Sequence, residues 1–368
     1  MSKLNRKKIA FLARLHFYGN PSRKLKIIGV TGTNGKTTIA TLLYRLATEL
    51  GYKVGLIGTI ENRVGDKVIP ATHTTPGPIP LNNLLKEMKD CDYVFMEVSS
   101  HALAQGRING IKFIGGIFTN LSHEHLDYHK SIKKYFKTKK RFFKKLGRKA
   151  FALVNVDDEY SKKIVKGIKA KKYIYGFNNE IETKLKGAFN VYNVSAVFET
   201  AKLLDFDEDK VKEIIKNFDV VPGRFEIYQK NGIMGIVDYA HSPDALRNIL
   251  ESIKGRKIVV FGCGGDRDKT KRPEMMKIAC RNSDIVIATA DNPRSEKIED
   301  IFEDMRKGII SGEKVYFEAD REKAIKKACS LAKKEDNVLL AGKGHEKYQI
   351  IGTEKILFDD MEMLKKYL

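Results

Sequence analysis

Apolar residues in this chain fall into short continuous runs that alternate with helically spaced ones, and from Leu25 onward the rhythm is regular. Lys26 to Val30 reads as a buried strand and Thr37 to Leu50 as a helix, and Tyr93 to Val98, Gly116 to Thr119 and Phe151 to Val156 are further strand runs. Strands separated by helical segments predict a mainly parallel sheet covered by helices, because parallel neighbours need long crossovers. The helical patterns Val191 to Leu204 and Glu208 to Phe218 lead into Val221-Pro222-Gly223, where the periodicity stops and a boundary is expected. Beyond it, Asn231-Gly232 is a hairpin signal. Lys257 to Phe261, Ile285 to Ala288, Val315 to Phe317 and Val338 to Ala341 then read as strands with helices between them. Ahead of all this, Arg6 to Leu15 spaces its apolar residues helically with basic residues between, a segment expected to pack on the body of the protein, with contact to anionic lipid as the alternative. The predicted fold class is α/β in three parts: a basic helical segment at 1–24, a central unit at 25–222 with a mainly parallel sheet, and a Rossmann-like unit at 223–368. No internal repeat or low-complexity linker interrupts the pattern.

Composition changes this picture little. A chain of 368 residues is long enough to bury two or three cores. The net charge of +22 is compatible with nucleic acid, a membrane surface or polyanionic substrates. Much of the excess is lysine on the predicted solvent-facing helix from Ser131 to Leu146, so charge alone selects none of them. No RNP-like, helix-turn-helix or zinc-finger pattern occurs, and no nucleic-acid partner is expected. The four cysteines are far apart without CxxC spacing, as reduced bystanders would be. No run of about 18 apolar residues suggests a membrane span, and Met1-Ser2-Lys3-Leu4-Asn5 opens no signal-peptide pattern. A cytoplasmic protein is the expectation.

The chemistry begins at Gly32-Thr33-Asn34-Gly35-Lys36-Thr37-Thr38, which follows an apolar strand and opens a helix. That is the context of a P-loop. Glycines let backbone N–H groups converge on phosphate oxygens, the helix N-terminus favours the anion, Lys36 reaches the terminal phosphates and the Thr37 hydroxyl can ligate Mg²⁺. The loop is a variant, since the first glycine of GxxxxGK falls at Val30, with Gly29 one place earlier. Glu97 ends an apolar strand, at the carboxyl end where ligands bind in such sheets, and is a candidate carboxylate for the same magnesium. His123-Glu124-His125-Leu126-Asp127-Tyr128-His129 concentrates imidazoles and carboxylates after another strand. Zinc usually prefers regular spacing and often cysteine, so one imidazole serving Mg²⁺ is the more economical reading, and spacing does not select which.

Taken together and in order, these motifs resemble the Mur ligases from about Lys26 to Asp360. The resemblance implies an ATP-dependent, P-loop-type central ATPase domain and a C-terminal domain that binds an incoming amino acid, with ATP and Mg²⁺ as cofactors. Thr31 to Thr38 is similar to the family's ATP loop, Glu97 in Met96-Glu97-Val98-Ser99-Ser100-His101 to its magnesium glutamate, and His125 to its magnesium histidine. A carbamylated lysine bridging magnesium and the γ-phosphate lies fourteen residues beyond that histidine in the third-residue-adding branch, which implies Lys139. Without the resemblance, Lys137, Lys139 and Lys140 would read alike as a solvated face. Asn190 in Asn190-Val191-Tyr192-Asn193 is similar to an adenine-contacting asparagine, where the residues alone suggest a helix cap. Arg224 resembles a phosphate-facing cation and Asp238 a ribose-binding carboxylate, which would imply closure over the nucleotide.

Gly262-Cys263-Gly264-Gly265-Asp266-Arg267-Asp268, Asp291-Asn292-Pro293-Arg294 and Gly342-Lys343-Gly344-His345-Glu346 are similar to signatures of the branch that adds the third residue of the peptidoglycan stem peptide. Arg267, Asp291, Asn292, Pro293, Arg294, Gly342 and Glu346 would line its amino-acid pocket. Guanidiniums can clamp carboxylates and Glu346 can hold an ammonium, and Arg294 resembles the branch that accepts meso-diaminopimelate, whose distal carboxylate needs a cation, rather than L-lysine. Thr74 and Thr75 in His73-Thr74-Thr75-Pro76, with Ser99, Gln105 and Arg107, are similar to residues that hold the nucleotide-sugar dipeptide acceptor. Two departures stand out: only about two dozen residues precede the first strand, where the family carries a uridine-gripping domain, and the stretch from Val156 to Gly187 is short. A partner protein, a basic groove or another carrier could substitute for that domain. A folylpolyglutamate synthase-like ligase shares the ATP site, but Asp291 to Arg294 argues against it. A basic P-loop ATPase acting on nucleic acid is the alternative from another class.

Overall fold

The computed structural model describes residues 21–310 and 314–368, so the helical pattern at 6–15 lies outside the described residues. Two compact units divide the chain. The first holds the described residues through Ser122, then Ser131–Leu185 and Phe189–Asp219; the second holds His123–Lys130, Lys186–Ala188 and Val220–Leu368.

The first unit is built on eight strands: β1 (Lys26–Thr31), β2 (Val54–Ile57), β3 (Glu61–Val64), β4 (Lys67–Pro70), β5 (Tyr93–Glu97), β6 (Gly115–Phe118), β7 (Phe151–Asn155) and β8 (Lys171–Tyr175). Their order is β4-β3-β2-β5-β1-β6-β7-β8, with β2, β5, β1, β6, β7 and β8 parallel and the antiparallel hairpin β3-β4 paired antiparallel to β2 at one edge. Strand β1 lies mid-sheet and is buried from Ile27 to Thr31, as its unbroken apolar run requires. Its carboxyl end, where the phosphate loop starts, stands beside Glu97 and Phe118 in register.

Helix Ile132–Lys145 buries Tyr135, Thr138, Lys139, Phe142 and Phe143, the i, i+3, i+4, i+7, i+8 stripe of one helical face. It lies close on the sheet because Gly29 and Gly116 leave a furrow for the Phe142 ring. A Cβ at Gly29 would stand 2.6 Å from Phe142 Cζ, and one at Gly116 2.8 Å from Cε1. The same close packing carries Lys139 inward, whereas the residues alone had suggested a solvated lysine. Gly116→Val is therefore expected to cost about 1–3 kcal/mol through overpacking, read as a lowered urea midpoint.

The second unit contains β9 (Glu226–Lys230), β10 (Ile233–Asp238), β11 (Lys257–Phe261), β12 (Ile285–Ala288), β13 (Val315–Phe317) and β14 (Asn337–Ala341), ordered β13-β12-β11-β14-β10-β9. All but β9 run parallel, a Rossmann-like sheet extended by the hairpin at Asn231-Gly232. Both turn residues take positive φ, 53° and 76°, as a two-residue turn between twisted strands demands. A separate hairpin, β15 (Tyr348–Ile351) with β16 (Glu354–Leu357), precedes the last helix, Asp360–Tyr367. That helix is pinned by a fully buried ion pair in which Arg321 meets Asp360 through two bonds of 2.7 Å. The same guanidinium donates to the Ala341 carbonyl at 3.1 Å, at the end of β14.

Strands β2, β3, β4, β8, β15 and β16 escaped the sequence pattern. They are four or five residues long and sit at edges or in hairpins, too short to stand out, and in β3, β4, β8 and β16 charged residues also break the apolar pattern. The Gly65-Asp66 turn joining β3 to β4 was the available signal. Among the described residues no helix is long and apolar enough to cross a membrane.

Candidate active site

The phosphate loop is tied to itself through its lysine. Lys36 opens helix Lys36–Glu49, and its ammonium turns back to the carbonyls of Gly32 and Thr33, at 3.0 and 2.6 Å. Gly32 is required by close approach, since a Cβ there would lie 1.7 Å from Thr119 Oγ1. Gly35 takes φ 85°, and a Cβ on it would meet Asn193 Oδ1 at 2.6 Å. The loop is strapped to the segment after β6: Thr33 N donates to Asn120 O at 2.9 Å, Asn34 N to Asn120 Oδ1 at 2.9 Å, and Thr119 Oγ1 to Asn34 O at 2.6 Å. Thr38 is buried one residue beyond Thr37 on the same helix. Buried Asn190 accepts a 3.0 Å bond from Asn193, which ties it to the wall behind Gly35. It stands inside helix Ala188–Leu203 rather than capping it.

Glu97 is the hub of this unit. The Thr37 hydroxyl donates to its Oε2 at 3.0 Å, the Thr59 hydroxyl does the same at 3.0 Å, and Thr59 N donates to Oε1 at 2.7 Å. Among the described residues this fully buried carboxylate has no lysine, arginine or histidine as ion-pair partner. A buried carboxylate held only by neutral donors suits a divalent cation, which brings the positive charge these donors lack. Thr59 was missed in the sequence, although Gly58-Thr59 at the end of β2 occupies the same strand-end position as Glu97.

The acceptor candidates form one network on Glu97. Thr74 Oγ1 stands 3.0 Å from the Thr59 hydroxyl, and Thr75 Oγ1 donates to the Glu97 carbonyl at 2.8 Å while accepting from Ser99 N at 3.0 Å. Arg107 donates to Thr75 O at 2.7 Å and to Gln105 Oε1 at 2.9 Å. Lys139 belongs to the phosphate loop as well: its buried ammonium donates to Gly32 O at 2.6 Å and lies 4.6 Å from the centre of the Tyr135 ring.

In the second unit the His/Glu cluster is partly structural. Buried Glu124 lies 2.8 Å from His241 Nε2 and 3.9 Å from His125 Nε2. Burial alone would raise its carboxyl, but His125, His241 and Lys271 outweigh it and hold the group well below the ordinary carboxylate range. His123 instead pairs with Asp268 at 3.3 Å. Among the described residues no group of three or more His, Cys, Asp or Glu side chains is arranged to hold a metal. Arg224 stacks 4.4 Å from the Tyr239 ring centre, and Asp238 accepts from Phe225 N at 2.7 Å. Desolvation pushes Asp238 above the ordinary carboxylate value, against the opposing charge of Arg224.

A second pocket gathers three signature segments. Asn292 donates to Glu346 Oε2 at 2.9 Å, and Lys343, which the sequence had not singled out, lies 3.4 Å from Glu346 and 3.6 Å from Asp291. Arg294 takes φ 55° and donates to Gly265 O at 2.7 Å, while its own N–H and C=O bond to Ile350 and Gly352 in the final hairpin. Pro293 O stands where a Cβ on Gly265 would be, at 1.8 Å, so the loop carrying Arg267 and the loop carrying Arg294 lie against each other. Gly342 takes φ 112° beside Asp291.

Glu296 staples those loops, accepting two 3.0 Å bonds from fully buried Arg272 and a 2.6 Å bond from Asp266 N. The Arg272 bonds lower its carboxyl from 4.5 to about 2. The folded state therefore binds its proton less readily than the unfolded chain does. Stability from this group is whole above pH 4.5 and fades as pH falls toward about 2. Acid titration of Glu296→Gln, compared with the parent by circular dichroism, is expected to flatten the unfolding profile across that window.

A P-loop sheet and a Rossmann-like unit that gathers Asp291, Lys343, Glu346 and Arg294 make up an ATP-using α/β ligase. The Mur ligase middle domain family matches residues 30–183, and the Mur ligase glutamate ligase domain family matches residues 223–344. A Bacteroides fragilis UDP-N-acetylmuramoyl-L-alanyl-D-glutamate-2,6-diaminopimelate ligase is 49% identical over 384 residues, covering 95% of this chain and 79% of the relative. A solved structure of a ligase with that same name aligns with a TM-score of 0.63 and 32% identity, over 98% of this chain and 82% of the other. Mycobacterium tuberculosis folylpolyglutamate synthase, complexed with ADP and AMPPCP, shares the fold at a TM-score of 0.73 and 17% identity, over 92% of each chain. The chain belongs to the Mur ligase family.

Proposed function

We propose that this protein is a cytoplasmic ligase that uses ATP to join 2,6-diaminopimelate to the D-glutamate carboxylate of a UDP-N-acetylmuramoyl-L-Ala-D-Glu acceptor, in cell-wall peptidoglycan synthesis. The observation that carries the reading is the joining of a phosphate loop, through Thr37 and Glu97, to the Thr74, Thr75, Ser99, Gln105 and Arg107 network. A 49% identical relative of that name supports the choice of substrates.

A carboxylate is a poor electrophile, so amide formation first converts it to an acyl phosphate. The acceptor oxygen attacks the γ-phosphorus and ADP leaves. The loop N–H groups and Lys36 hold the phosphates and neutralise the charge that moves onto ADP. Thr37 and Glu97 would hold Mg²⁺, with His125 and carbamylated Lys139 as further ligands carried over from the family. When bound, that ion supplies charge neutralisation on the phosphates. Carbamylation would turn the Lys139 cation into an anion while keeping an N–H for the Gly32 carbonyl. By the family resemblance, Arg224 would serve as a phosphate cation, Asp238 as a ribose carboxylate and Asn190 as an adenine contact. The amine of the amino acid then attacks the acyl carbon, loses a proton, and phosphate departs. Asp291, Asn292, Arg267, Arg294, Gly342 and Glu346 orient that amino acid.

The deciding experiment measures ADP release and product mass with Mg²⁺, the UDP-linked dipeptide, and either meso-diaminopimelate or L-lysine. Turnover that needs both acceptor and diaminopimelate is expected. ADP release stimulated only by a folate would move the protein to the other ligase class.

A further inference from the structure

Lys343 is fully buried and lies within 3.6 Å of both acidic side chains of the second pocket. Its ammonium also donates to Asn292 Oδ1 at 3.2 Å. Lys343 is flanked by Gly342 and Gly344, which take φ 112° and 51°. A Cβ at Gly344 would stand 2.7 Å from the Gly223 carbonyl and 2.9 Å from Tyr239 N. Residue 343 is thus aimed inward by two positions that only glycine fills at low cost.

Burying a lysine in a binding pocket is expensive unless its charge is used. Here it lies against one flank of Glu346, whose other oxygen is 3.4 Å from the Tyr239 hydroxyl, and against Asp291. Taken with Arg267 and Arg294, the pocket carries three cationic side chains and two carboxylates. Without Lys343 the two signs would balance, and two carboxylates would be open to ammonium groups. With it, their combined pull on a ligand is reduced by one charge, while the guanidiniums keep their full charge toward carboxylates, Arg294 held in place by Gly265 O and Asn292 O.

We propose that Lys343 is a specificity-determining residue that acts through Asp291 and Glu346, tilting the pocket toward amino acids with a carboxylate at each end and away from those whose side chain ends in a bare ammonium. The inference rests on the amino-acid pocket assigned under the proposed function. It adds to that reading a discrimination made by like-charge repulsion as well as by the Arg294 cation, the repulsive half of a selective site.

The test compares the wild-type protein with Lys343→Met and Lys343→Arg in ligation assays. ATP and the UDP-linked dipeptide are held saturating while meso-diaminopimelate and L-lysine are varied. In Lys343→Met the ratio of kcat/KM for diaminopimelate over L-lysine is expected to fall at least about tenfold, equivalent to roughly 1.4 kcal/mol. KM for ATP should stay within about twofold, and Lys343→Arg should recover much of the ratio because it restores the charge. A variant with lowered thermal stability and an unchanged ratio would overturn the inference and leave Lys343 a structural residue. Wild-type protein that turns over neither amino acid would overturn the pocket assignment itself and this inference with it.

Discussion

Lys36→Ala is expected to lower ADP formation and ligation by about a hundredfold to a thousandfold, the effect of removing one preorganised charge from a phosphoryl-transfer site. The reason is geometric. Lys36 is the first residue of its helix, and its ammonium is parked on the Gly32 and Thr33 carbonyls, next to where phosphate oxygens would meet the loop amides. Its side chain contributes nothing to the buried core of that helix, which runs from Thr37 through Ala47. Circular dichroism and the urea midpoint should therefore stay near those of the parent while turnover collapses. Full ligation by the variant would remove this loop from the reaction.

The largest effect on stability is expected from Asp360→Asn. Arg321 and Asp360 are both fully buried and joined by two bonds, so the amide leaves a guanidinium charge in the interior without its counter-ion. Breaking one partner of such a pair costs about 3–5 kcal/mol, whereas replacing both by apolar residues of similar size is often close to neutral. Urea unfolding of Asp360→Asn should show a clear loss, and the double variant Arg321→Met/Asp360→Leu should recover much of it. Equal losses in single and double variants would mean that packing, not charge, holds the final helix. Hydrogen exchange at β14 amides reports the second unit separately, which matters because two units need not unfold together.

Much of this was legible in the sequence because the long parallel strands are buried on both faces and so read as continuous apolar runs. The phosphate loop was legible because loop, glycines and lysine are consecutive. What the pattern could not give was any property set by contact across the sheet. Lys139 resembles its neighbours in composition, and it turns inward where Lys137 does not because it shares the helical face of Tyr135 and Phe142, which the furrow at Gly29 and Gly116 lets lie close on the sheet. Thr59 meets Glu97, 38 residues away, and Lys343 meets Asn292, 51 residues away, as well as Asp291 and the nearby Glu346; the long separations carry no periodic signal. The role of Glu124 is similar: its partner His241 is far along the chain, and a cluster that looked like a metal site spends one carboxylate on holding a histidine.

The second unit is not one continuous stretch, for His123–Lys130 and Lys186–Ala188 belong to it although the chain around them builds the first. A gene fragment starting at Val220 would encode every strand of the Rossmann-like sheet and still omit Glu124, leaving His241 without the carboxylate 2.8 Å from its ring. Dissection by truncation would therefore understate what this unit can do by itself. A faithful excision needs the short loop supplied in trans as a peptide or grafted back by circular permutation, and the two halves of the protein are inherited as one interleaved cassette.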